Sequence, residues 1–95
     1  MEKLLIEWGK LHRTQSIENA VKEQARKILT RVPEATKLIV GFQILNPVNS
    51  SGAPLNEVSM ELRKPNHQDI RASKKGENLY HLIHDTERAL LSQNR

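Results

Sequence analysis

The sequence predicts an α+β domain in which two amphipathic helices cover one face of a four-stranded sheet, in the order β-α-β-β-β-α. Four short segments alternate apolar and polar residues, which is the period of a half-buried strand. Two longer segments carry apolar residues at helical spacing. Because each helix has a single apolar stripe, both can cover the same sheet face in a two-layer sandwich. A length of 95 residues fits one domain over residues 1–95.

The first strand and the first helix are predicted within residues 3–32. In the strand, the inward-facing residues are Leu4, Ile6 and Trp8. The helix is expected to use Ser16 as its N-cap, since a serine hydroxyl accepts a free N–H group at a helix start. It ends before Pro33, because the residue preceding a proline avoids helical dihedrals. The first strand can join the sheet by a parallel crossover or an antiparallel return, and the sequence leaves both open.

The remaining elements are three strands and a second helix. The second strand is the most apolar and places Leu38, Val40, Phe42 and Ile44 on its core face. Residues 46–54 are rich in proline and small polar residues, which favours a long hairpin loop. A turn at 74–76 is predicted to lead into the second helix. The predicted bounds of these strands are 37–45, 56–63 and 68–73. The apolar stripe of the helix covers 79–90, and Arg95 is placed on the solvent side of the same helix.

Charge and aromatic content limit the possible partners. Fifteen Lys and Arg against eleven Asp and Glu give a net charge of +4, which favours a polyanion without requiring one. The aromatic residues are one Trp, one Phe and one Tyr, so platforms for stacking single-stranded bases are nearly absent. Tyr80 is expected at the edge of the core, with its hydroxyl hydrogen-bonded.

The cellular setting is also predicted from composition. The chain has no cysteine, which excludes disulfides, thiolate metal sites and thiol nucleophiles and fits a reducing compartment. Its apolar runs are far shorter than the ~20 residues that span a bilayer, and no signal peptide follows Met1. We therefore expect a cytoplasmic protein with no membrane partner.

Catalytic and metal sites are not expected. His81 and His84 lie at i, i+3 beside Asp85, but two histidines without a third ligand at fixed spacing are usually surface residues. Carboxylates on the open face of a sheet are usually solvated, and this applies to Glu57, Glu61 and Asp69. The sequence predicts no enzyme activity, no metal, no cofactor and no small-molecule substrate.

Three stretches of the chain carry a family resemblance: residues 16–29, residues 38–44 and residues 70–83. The last stretch has an Ala-Ser pair, then an acidic residue before an apolar-Tyr pair, then an isoleucine three residues after the tyrosine. In these features the chain resembles the short ribosome hibernation-promoting factors and ribosome-associated inhibitors. The resemblance implies a fold like that of double-stranded RNA-binding domains. It also implies that the protein occupies the decoding channel of the small ribosomal subunit and so silences translation.

Binding to ribosomal RNA requires Lys and Arg on rigid elements, because the RNA presents a dense field of phosphates. On a helical wheel, basic residues flank both sides of the first helix's apolar stripe. The second helix carries histidines and an arginine on its solvent side, and two lysines are predicted at the turn before it. The candidate RNA-binding residues are Lys22, Arg26, Lys27, Arg31, Lys74, Lys75, His81, His84 and Arg88.

The sequence also departs from this family. Gln24, Ala89 and Ser92 stand at positions where the family is commonly basic. The alternative interpretation is therefore a protein–protein regulatory module on the same fold, which acts through the second helix or the open sheet edge and does not bind ribosomes.

Overall fold

The computed structural model describes residues 1–45 and 54–94 and confirms the predicted order of elements. The predicted loop at 46–54, except for Pro54, and Arg95 lie outside the described residues. The elements are β1 (Leu4–Glu7), α1 (Gln15–Arg31), β2 (Lys37–Ile44), β3 (Asn56–Arg63), β4 (Ile70–Gly76) and α2 (Leu79–Gln93).

The four strands form one mixed sheet in the order β1-β2-β3-β4. β1 is parallel to β2, with Leu4 opposite Leu38, and the other two pairs are antiparallel. Since parallel neighbours need a crossover connection, α1 supplies the crossover between β1 and β2. This resolves the choice that the sequence left open.

Both helices pack on one face of the sheet and run in the same direction. Ser16 near the start of α1 is hydrogen-bonded to the Tyr80 hydroxyl near the start of α2, with an oxygen–oxygen distance of 2.7 Å. At the other end, Arg31 of α1 lies in a groove beside Leu91 of α2. The core lies between the helices and the sheet and includes the fully buried Leu90.

The start of α1 differs from the prediction. Thr14, not Ser16, is the N-cap of α1, and its hydroxyl accepts a hydrogen bond from the Ile17 N–H at 3.2 Å. The Ser16 side chain is free to reach Tyr80 because it lies within the first turn. Asn78 caps α2. Its side-chain oxygen accepts hydrogen bonds from the N–H groups of Tyr80 and His81, at 3.0 and 3.2 Å.

Thr14 therefore offers a direct test of the α1 start. We expect Thr14→Ala to lower the free energy of unfolding by about 0.5–2 kcal/mol, because the substitution leaves the Ile17 N–H without its partner. Ser16→Ala is the matched control and should cost less, since the hydroxyl that it removes is exposed to water. Urea denaturation of both variants measures the difference. A larger loss for Ser16→Ala would contradict this assignment.

The turn predicted at residues 74–76 is wrong, because β4 continues to Gly76. Lys74 pairs with Val58 and Gly76 pairs with Asn56, so β3 holds this segment in the sheet. The prediction followed the Lys-Lys-Gly composition, and the pairing with β3 overrides that local preference.

Two predicted core side chains are more exposed than expected. Ile44, at the end of β2, is 41% exposed, and Tyr80 is 48% exposed. The Tyr80 hydroxyl is nonetheless hydrogen-bonded, as predicted. Gly9 follows β1 with φ of 59°, in the left-handed region, and a Cβ atom there would lie 2.9 Å from the Phe42 carbonyl oxygen. A side chain at this position would therefore strain the turn after β1.

Candidate nucleic-acid interface

The two faces of the molecule differ in how their charges are compensated. Residues opposite each other in an antiparallel pair share a face, so Ser59 with Ser73 and Glu61 with Arg71 lie on the open face of the sheet. There Glu61 accepts from Arg63 at 2.7 Å and from Arg71 at 3.0 Å. The positive charges of the two arginines on this face are therefore compensated.

This ion-pair network shifts both partners toward their charged forms. The hydrogen bond from Arg63 is the main reason that the pKa of Glu61 lies below its usual value, and the same bond raises the pKa of Arg63. Asp69 adds a weaker contact, 3.8 Å from the Arg63 guanidinium. Two of the carboxylates considered for acid–base chemistry thus face arginines, and the lowered pKa of Glu61 favours its ionised form.

The cations on the helical side are less compensated. Of the candidate lysines and arginines on the helical side, only Lys22 forms an ion pair with an acidic side chain among residues 1–45 and 54–94. Each helix also carries one exposed acidic residue, Glu23 on α1 and Asp85 on α2. The exposed candidates on this side without a recorded ion pair are Arg26, Lys27, Arg31, Lys74 and Arg88.

Lys22 belongs to a separate cluster beside β1. Glu18 lies between Lys22, at 2.9 Å, and Arg13, at 2.7 Å. The hydrogen bond from Lys22, followed by that from Arg13, lowers the pKa of Glu18. The Arg13 guanidinium also stacks over Trp8, 5.7 Å from the ring centroid, and Trp8 stacks on Phe42. Arg13 was missed from the sequence because it precedes the helix and follows no helical spacing.

At the other side of α1, the end of the helix meets α2 in a groove of about 270 Å³. Arg31 and Arg88 line this groove together with Leu91. Glu87 also lines it and is only 7% exposed, a burial that the sequence did not predict. The groove joins two arginines from different helices, which no spacing within either helix indicates.

A second groove lies on the opposite flank of α2 and is also lined by Arg88. Its other lining residues include Lys74, Asp85 and Ser92. Lys74 reaches it because Val58, its partner in β3, is buried beneath the helices. Arg88 therefore stands between the two grooves. We call Arg31, Arg88 and Lys74 the α2 band, since they lie around the outer side of this helix.

The remaining candidates line neither of these two grooves. Lys75 of β4 is opposite Glu57 and therefore lies on the open face of the sheet, not at a turn before α2 as predicted. His81 is exposed on α2, and His84 Nδ1 lies 3.7 Å from Asp85. In the part of the chain that the structure describes, no three His, Cys, Asp or Glu side chains are grouped as a metal site requires. Within the same part, neither helix is both long and apolar enough to cross a membrane.

No family model and no curated protein matches the sequence. Among solved structures, a ribosomal subunit interface protein from Coxiella burnetii is similar, with a TM-score of 0.77. The match covers 95% of this chain and 90% of that chain, at 12% sequence identity. It confirms, at the level of the fold, the resemblance to ribosome-associated proteins and the α+β class predicted from the sequence.

Proposed function

We propose that this protein is a ribosome-associated translation inhibitor of the hibernation type, which binds the small subunit in its decoding channel. The observation that carries the proposal is the set of exposed cations on the helical side that form no ion pair with a described residue, on a fold shared with a ribosomal subunit interface protein. Phosphates of ribosomal RNA attract such charge without requiring a base-specific contact.

The α2 band is the proposed centre of the RNA-binding surface. Its side chains come from three elements, so their spacing is held by the core rather than by one helix. Lys27 shares the flank of α1 that carries Arg31, and it extends the surface along the seam between the helices. The proposed periphery comprises Lys22, Arg26, His81 and His84. Lys75 is left out of this surface because it lies on the other face of the sheet.

Inhibition in this proposal is steric. A protein seated where messenger and transfer RNA bind blocks them by occupying their place, and no bond is made or broken. The side chains that act are therefore the ones that hold the domain on RNA phosphates. Such a surface gives an affinity that depends on salt and tolerates changes in RNA sequence.

Co-sedimentation with small ribosomal subunits in sucrose gradients tests this function. We expect the protein to travel with the subunits at 50 mM salt and to be released as salt rises. About four phosphate contacts would weaken the affinity roughly 50- to 150-fold between 50 and 200 mM salt.

Sedimentation at the top of the gradient at 50 mM salt would contradict ribosome binding. That result would favour the alternative function, a protein–protein regulatory module on the same fold. A matched gradient with large subunits distinguishes the proposed site from a general attraction to RNA.

A further inference from the structure

The outer edge of β4 has backbone groups that can accept another strand. Hydrogen bonding from the Leu45 N–H to the Leu55 carbonyl fixes the alternation of ladder bonds between β2 and β3. Successive residues of a strand direct their backbone groups to opposite sides, and Leu55 bonds toward β2. Asn56 and every second residue after it in β3 therefore bond toward β4. Asn56 pairs with Gly76, so Gly76 and every second residue before it in β4 bond inward. The N–H and carbonyl groups of Arg71, Ser73 and Lys75 consequently point outward.

A side-chain contact supports this orientation independently. Gln93, in the last turn of α2, donates its side-chain N–H to the Arg71 carbonyl at 2.8 Å. α2 thus covers one outward group of β4. The outward groups of Ser73 and Lys75 have no recorded hydrogen-bond partner in the described part of the chain. The uncovered edge therefore extends from Ser73 to Lys75.

The charges along this edge are positive. Lys74 and Lys75 are exposed and form no ion pair with any described residue. Arg71 is 73% exposed and contacts Glu61 through one of its nitrogens. Of the neighbouring acids, Glu57, Glu61 and Asp85 lie on β3 or α2, on the inner side of this edge, and Asp69 and Glu77 flank β4 at its two ends. A strand placed along the outside of β4 meets two cations without a partner.

We propose that β4 binds an extended acidic peptide segment of a partner protein as a fifth strand of the sheet. Strand addition of this kind takes its affinity from main-chain hydrogen bonds and its specificity from side chains along the edge. A second copy of this chain fits less well, because pairing β4 with β4 brings lysines and an arginine together. The proposal does not depend on ribosome binding.

The geometry also predicts which positions of the peptide carry acidic residues. In an antiparallel fifth strand, the residue opposite Lys75 lies on the open face, and the next residue, opposite Lys74, lies beside α2. Three residues further, the peptide passes Arg71. Acidic residues are therefore expected at the first, second and fifth positions of the bound segment, with small uncharged residues between them.

A synthetic peptide with glutamate at these three positions, and with blocked ends, provides the probe. We expect the peptide to slow hydrogen exchange at the Ser73 and Lys75 amides in NMR spectra of the full chain. A peptide with glutamine in place of glutamate should bind roughly tenfold more weakly. The charge-reversed variant Lys74→Glu/Lys75→Glu should lose binding of the acidic peptide by a similar factor. Lys10→Glu/Lys27→Glu changes the net charge equally, away from β4, and should retain binding within about twofold.

Ser73→Pro tests the main-chain contact. The substitution removes an outward N–H group that does not bond to β3, and an edge strand tolerates proline at such a position. It should weaken binding of both the glutamate peptide and the glutamine peptide. Three results would overturn the proposal. The first is no protection of the Ser73 and Lys75 amides by the acidic peptide. The second is equal binding by the glutamine peptide. The third is protection of these amides by something other than the peptide. Either protein concentration alone raises it, or an RNA oligonucleotide produces it where the peptide does not.

Discussion

Replacing Lys27, Arg31 and Arg88 with glutamine is expected to weaken binding to small ribosomal subunits by roughly 100-fold at near-physiological salt. The three side chains are exposed and form no ion pair with any residue that the structure describes, so the substitutions remove charge from the proposed RNA surface without breaking a described ion pair. Log affinity falls with log salt, and each lost phosphate contact should make this fall less steep by about 1. Co-sedimentation over a salt series measures both quantities.

The matched control removes three lysines elsewhere, in the variant Lys10→Gln/Lys37→Gln/Lys75→Gln. Lys37 and Lys75 lie on the open face of the sheet by their pairing with Arg63 and Glu57. The control has the same net charge as the test variant, and we expect its affinity to change by less than about threefold. Equal weakening by both variants would show that overall charge, rather than the helical side, determines binding.

The second large effect is expected in the core beneath the α2 band. Leu90 is fully buried. It follows Arg88 by two residues, in the C-terminal half of α2. Leu90→Ala should lower the free energy of unfolding by about 2–5 kcal/mol, because it removes buried methyl groups and leaves a cavity. For a domain of this size, each kcal/mol corresponds to a shift of about 4–8 °C in Tm.

Leu91→Ala is the control for this effect. Leu91 is half-buried, lies beside the groove with Arg31 and loses less apolar contact on truncation. Thermal denaturation followed by circular dichroism compares the two variants. A Tm for Leu90→Ala within 2 °C of the unsubstituted protein would show that α2 is not anchored as the structure describes.

The fold was predictable where one physical pattern dominates a segment. In β3 apolar and polar residues alternate strictly, and Val58, Met60 and Leu62 on the apolar face are all buried. In α1 apolar residues recur at helical spacing, and Val21 and Ile28 among them are fully buried. Burial of an apolar face is the largest stabilising contribution here, and the periodicity of the sequence reports it directly.

Local composition was less reliable where a more distant partner decides the structure. The Lys-Lys-Gly segment favoured a turn, but pairing with β3 keeps Lys74 in a strand. Thr14 and Ser16 are both good capping residues, yet Thr14 caps α1 and the Ser16 hydroxyl is hydrogen-bonded to Tyr80 of α2. The Lys74–Val58 pairing and the Ser16–Tyr80 contact both join residues that lie far apart in sequence.

The candidate site shows the same limit. The sequence indicated which residues are basic and exposed, but it did not indicate that Arg31 and Arg88 share a groove. Nor did it indicate that Arg13 joins Lys22 on Glu18 and stacks on Trp8. These groupings depend on how the two helices sit on the sheet, which the periodicity of either helix does not contain.

Directed cleavage of ribosomal RNA tests the central claim most directly. Since the chain has no cysteine, a single one introduced on either face carries an iron–chelate label at a defined position. Ser92→Cys places the label between the two grooves of α2, and Ser59→Cys places it on the open face of the sheet. We predict cleavage of small-subunit RNA in the decoding channel from position 92 and little or none from position 59. Equal cleavage from both positions, or cleavage from position 59 alone, would contradict binding through the helical side.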